Sequence, residues 1–179
     1  MSSSTADSIT AILPSGQSHP RVVVTTHTKD GTSVFGADKE VPLFRPFGPS
    51  ASSFAVFDVR DAVPANNQEP TFSFDNALPR CPPKGVIFCI TNIPAGGVAP
   101  MHRTQSLDYA VVVAGEIVLK VDSGEEKTVK AGEYIVQGGA NHSWINRTGE
   151  ACRIVCFMVG AEKIKLEDGT ELDSTAFKK

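Results

Sequence analysis

Two histidines and one aspartate in the second half of the chain are the residues best suited to chemistry. His102 follows a Gly-Gly-x-x-Pro turn, Asp108 starts an apolar strand, and His142 starts another. Two imidazoles and a carboxylate suit a divalent transition metal, whether iron, manganese, nickel or zinc. The same groups serve equally as acid and base with no metal, because histidine titrates near neutral pH. The structural alternative is a histidine hydrogen-bonded in a core or rim. The candidate catalytic set is therefore His102, Asp108 and His142, which is also the candidate metal set. Strand alternation puts Trp144 and Asn146 on the face of His142. Gln137, just before the loop to His142, either hydrogen-bonds a ligand or satisfies turn backbone, and the turn role is preferred. Thr104 joins Trp144, Asn146 and Gln137 as a candidate substrate-pocket residue.

These side chains need strands to hold them. KGVIFCITNI is an apolar strand ending near Pro94, and LDYAVVVAGEIVLKVD is two strands meeting near Ala114-Gly115. Ser123-Gly124-Glu125 is a hairpin turn, and Ala131-Gly132 is another. GEYIV, HSWIN and CRIVCFMV complete the run. Upstream, RVVVTTHT and Ser33-Val34-Phe35 flank a Lys29-Asp30-Gly31 turn, and Ser53 to Val59 is a further strand. No segment keeps a 3.6-residue apolar period over three turns, with a short C-terminal helix the one open case. At least eight short strands with glycine turns predict an all-β sandwich or barrel. Tyr109 has the opposite parity to Asp108 and is expected to face outward, into a dimer contact. Arg103 is expected to point outward too. Cys152 and Cys156 share a core face with Ile154 and Met158, and His19 and His27 lie outside the chemistry.

The chain divides into a loose polar segment over 1–19, with an apolar patch at Ile9 to Leu13, and N-terminal strands with a proline-rich arm over 20–83. A barrel core over 84–166 and a tail over 167–179 follow. Its 179 residues suit one domain. The net charge of -3 argues against a nucleic-acid surface or a basic membrane patch. No apolar run approaches the roughly 20 residues that span a bilayer. The N-terminus lacks the pattern of a secretory signal, so a cytoplasmic protein with four reduced thiols is expected.

The segment Gly96 to Gly115 resembles the first cupin motif, G-x5-H-x-H-x3-E-x6-G, with Gly96, His102 and Gly115 in register. Asp108 stands in the place of the glutamate and Thr104 in that of the second histidine. Gly132 to Asn146 resembles the second motif through Gly132, His142 and Asn146, although the loop QGGAN is one residue short and lacks the proline. The resemblance implies a single cupin barrel, a double-stranded β-helix or jelly roll, with an N-terminal strand extension. It also implies a metal site, here reduced to His102, Asp108 and His142 because a neutral threonine hydroxyl is a poor ligand. SLDYAVVVAGE and VQGGANHSWINR are similar to small single-domain cupins found in fungi and tied to secondary metabolism.

Three functions stay open. The first is a metal-dependent enzyme acting on an organic, aromatic or polyketide-derived metabolite by oxygenation, decarboxylation, dehydration or isomerisation. The second is a metal-free acid/base enzyme in the same pocket, and the third a non-catalytic ligand-binding module. A homodimer is expected, with Arg21 to Thr28 exchanged across a two-fold axis to cover strand edges.

Overall fold

The computed structural model describes residues 19–68 and 78–175. The apolar patch at Ile9 to Leu13 and the middle of the proline-rich connection lie outside them. The described residues form thirteen strands and no helix. In chain order they are β1 Arg21–His27, β2 Ser33–Glu40, β3 Ser53–Arg60, β4 Val86–Ile93, β5 Val98–His102, β6 Ser106–Ala114, β7 Glu116–Val121, β8 Glu126–Lys130, β9 Tyr134–Gly138, β10 His142–Ile145, β11 Cys152–Gly160, β12 Ile164–Lys165 and β13 Glu171–Leu172. Nine of them build two antiparallel sheets, ordered β3-β4-β11-β6-β9 and β5-β10-β7-β8.

This is the expected all-β jelly roll, with one refinement. The strands make two facing sheets rather than one closed ring of hydrogen bonds. Ile93, Val112 and Ile154 of the five-stranded sheet pack against Ile117, Val129 and Trp144 of the other layer. Burial of these branched side chains favours the pleated, half-buried surface over any helix. Gly115 lets the chain pass from β6 in one sheet to β7 in the other. Its φ of 72° is left-handed, and a Cβ there would stand 2.8 Å from the Ala151 carbonyl.

Two elements differ from the sequence expectation. β5 forms through Pro100, and the tail is a β12–β13 hairpin around Asp168-Gly169 where a helix stood open. The hairpin turn at Ser123-Gly124-Glu125 joins β7 to β8 as expected. At the other end, β1 pairs with β2, and Arg21 grips Asp38 through two contacts of 2.6 and 2.7 Å. Val22 packs on Val41, Ala55, Phe57 and Ile90, so the N-terminal arm covers the outer face of the five-stranded sheet at its β3–β4 side.

Candidate functional site

A bulge aims the first histidine. His142 pairs with His102 and Trp144 with Ala99, so three steps along β5 face two along β10. The extra residue reverses the parity of β5 beyond Ala99 and turns His102 inward. Pro100 sits in the bulge, where a missing backbone donor is tolerated. The imidazole rings of His102 and His142 then lie with centroids 4.2 Å apart. Each places Nδ1 against a carbonyl two residues back, Pro100 O at 2.7 Å and Ala140 O at 2.9 Å. A carbonyl only accepts, so each Nδ1 carries the hydrogen and each Nε2 is the acceptor nitrogen.

Asp108 on β6 and Gln137 on β9 are paired in register on the opposite sheet. Asp108 accepts from Ser106 Oγ at 2.5 Å, Gln137 Nε2 at 3.3 Å and Thr104 Oγ1 at 3.4 Å. The same Gln137 nitrogen lies 3.3 Å from His142 Nε2, so one amide bridges carboxylate and imidazole. The turn role preferred for Gln137 is therefore not the one it plays. Trp144 stands edge-on to His142, with ring centroids 5.3 Å apart.

The sequence missed Ser106, which is fully buried and two residues before Asp108 on the same strand face. Asn146 does not join the group. It lies beyond the end of β10 and donates to the carbonyls of Ile93, Pro94 and Glu150 at 3.1, 3.0 and 2.7 Å. Its Oδ1 accepts from Thr148 N and Oγ1. That is a loop clamp and not a pocket wall. Tyr109 faces outward, as expected.

Among the described residues, no three of His, Cys, Asp and Glu are grouped to hold a metal ion. The cause is local. His102 and His142 meet, but the Gln137 amide stands between Asp108 and His142, and the Thr104 hydroxyl turns to Asp108. The imidazole pair fits a metal, whereas the carboxylate as placed does not complete the set. Of the four thiols, Cys81 and Cys152 offer no nucleophile. All four are free, and burial pushes Cys81 up to about 11 and Cys152 to about 12.

Electrostatics separates the titrating groups. Burial raises the Asp108 pKa, opposed by hydrogen bonds from Ser106, Gln137 and Thr104 and by attraction to His102. Burial, then a charge on His102, lowers His142 to about 4. The unfolded chain therefore binds a proton on His142 below about pH 6.5 that the folded chain refuses until about pH 4. The contribution of His142 to stability is intact above that window and falls by about 3 kcal/mol on crossing it. Asp108 acts in the opposite sense, because protonation relieves its burial. Urea unfolding of wild type and His142→Gln from about pH 7 to about pH 4 isolates the histidine term. The variant is expected to lose less stability on acidification, and parallel curves would refute the assignment.

A family model described as "Cupin domain" matches residues 89–169. Phomopsin biosynthesis cluster protein C' of Diaporthe leptostromiformis is 34% identical over 155 residues, covering 83% of this chain and 82% of that protein. Cupin-domain-containing oxidoreductase fogC of Aspergillus ruber is 29% identical over 129 residues, covering 70% and 64%. Among solved structures, the Schizosaccharomyces pombe Cnp3 cupin domain aligns with a TM-score of 0.49 at 14% identity, over 78% of this chain and 86% of that one.

Proposed function

The chain belongs to the cupin family, and from that premise we propose that it is a small-molecule enzyme of biosynthetic metabolism that moves a proton on an organic metabolite held between its sheets. The observation that carries this reading is the imidazole pair with Asp108 across from it. His102, the more open of the two, takes the proton on Nε2. The ionised Asp108 stabilises the resulting imidazolium through the attraction that partly offsets the rise burial imposes on its own pKa. His142 stays neutral because burial and the charge on His102 both oppose a second proton. A pair that accepts one proton and refuses two suits isomerisation or dehydration.

A second reading has its own support. Both Nε2 atoms are acceptors, which suits oxygenation or decarboxylation at a divalent metal held by the two histidines, with Asp108 joining only if Gln137 turns aside. Relatives carrying the name oxidoreductase agree with it. Proton exchange in deuterated water separates the readings, using a panel of enolisable carbonyl compounds and phenols followed by NMR. Protein-dependent exchange that survives a chelator is the expected result. Exchange lost to the chelator and restored by iron, manganese, nickel or zinc would install the metal reading. Compounds that bind with no exchange and no conversion would leave a ligand-binding module.

The protein acts, in this proposal, as a homodimer. The outer face of the five-stranded sheet is apolar as well as the inner one, a pattern that belongs to sheets covered on both sides. The arm covers only part of it. Tyr134 and Val136 on the edge strand β9 remain 78% and 71% exposed, with Tyr109, Val113 and Phe157 beside them. This uncharged patch continues the surface that the arm already buries, so a second copy meets it across a two-fold axis without like-charge repulsion. Light scattering should give twice the 19.0 kDa chain mass, and Phe157→Glu should shift it toward the monomer. A wild-type monomer at micromolar concentration would defeat this assembly. Among the described residues, no helix is long and apolar enough to cross a membrane.

A further inference from the structure

Gln137 holds a polar atom that the described residues do not satisfy. The residue is 6% exposed, and its Oε1 is buried with no hydrogen-bond partner among the described residues. Chemistry fixes which end of the amide faces which neighbour. An ionised Asp108 only accepts, and His142 Nε2 also accepts because the Nδ1 hydrogen faces the Ala140 carbonyl. Both lie 3.3 Å from the same amide nitrogen. Turning the amide over would press its oxygen against two acceptors. The oxygen is thus directed away from both, and no donor among the described residues meets it. The nearby hydroxyls of Ser106 and Thr104 already donate to Asp108. A buried acceptor without a donor is costly, and such groups persist chiefly where something else supplies the hydrogen.

We propose that Gln137 Oε1 is the acceptor for a substrate hydroxyl, so that the site selects alcohols, phenols or enols over their ethers. This rests on the small-molecule reading above and narrows its substrate class. A site built around a hydrogen bond rejects the analogue that lacks the donor, because its own polar group is then left unpaired. Asp108 gains a positioning role from the same geometry, since its charge is what holds the amide in one orientation.

The test uses resorcinol and its dimethyl ether, a pair that differs in the hydroxyl hydrogens and their methyl replacements. Trp144 is the only tryptophan and stands against His142, so its fluorescence reads occupancy of the site. Wild type should bind resorcinol about tenfold or more tightly than the ether. Gln137→Met keeps the length of the side chain and removes the acceptor, and the preference should fall to about twofold or less. Should that variant fail to fold, Asp108→Asn releases the amide orientation and should weaken the preference as well. The proposal is overturned by equal affinities in wild type, by a preference that survives the substitution, or by failure of both probes to bind. It is also overturned if zinc binding depends on Gln137 while the probes are not distinguished, which would assign the oxygen to a cation. Binding is read without turnover, so a missing preference leaves the proton-transfer reading standing, and that reading fails only in the exchange experiment.

Discussion

Replacing His102 with glutamine should lower substrate proton exchange by roughly 10²–10⁴-fold, the loss typical of removing a positioned base. Glutamine keeps comparable bulk but has no basic nitrogen. The neighbouring His142 does not substitute for it, because burial, the first cause of its lowered pKa, persists in the variant and keeps it a weak proton acceptor at neutral pH. Asp108→Asn should lower exchange in the same direction, since the imidazolium loses the facing charge. Groups that act as a unit are not additive, so the double variant should lose little beyond His102→Gln alone. A His102→Gln protein that exchanges at the wild-type rate would remove the base from this site. If the substitution lowers exchange by the same factor with and without a chelator, the defect belongs to proton transfer by the side chain itself.

Much of this site is legible in the sequence, and the parts that are not have identifiable causes. The strands β6 and β11 stand out in LDYAVVVA and CRIVCFMV because both of their faces are apolar, which leaves no helical period to compete. Alternation places Asp108 inward and Tyr109 outward, as found. The strand β5 escapes notice because Pro100 reads as a breaker, and the bulge it occupies then inverts the parity that alternation assumes. Gln137 is read as a turn residue because three small residues, Gly138, Gly139 and Ala140, follow it, yet β9 runs on to Gly138 and keeps the amide buried in the sheet. The tail hairpin buries almost nothing and so leaves no hydrophobic pattern. Ion pairs such as Lys163 with Asp173 at 2.6 Å hold it, together with backbone pairing of Thr175 to Arg103.

The failure of alternation at Asn146 leads to an expected result of its own. Counting by twos from His142 puts Asn146 in the pocket, but β10 ends at Ile145 and the chain turns before the count is complete. The side chain is 1% exposed and ties the Ile93-Pro94 corner to the loop that carries Thr148 and Glu150. Asn146→Ala strips donors from three carbonyls and the acceptor from Thr148, in a place that water reaches poorly. Each buried group left unpaired costs about 1–3 kcal/mol, partly relieved as the loop relaxes, so the variant should lose about 2–4 kcal/mol in urea unfolding. Asn146→Asp should recover part of the loss at most, because it restores the acceptor but replaces the donor with a second acceptor facing carbonyls. The clamp lies away from the histidine pair, so the affinity of the folded variant for resorcinol, read from Trp144, should stay within about twofold of wild type. A variant of unchanged stability that has lost its ligand would return Asn146 to the pocket and show that the loop is held by other means.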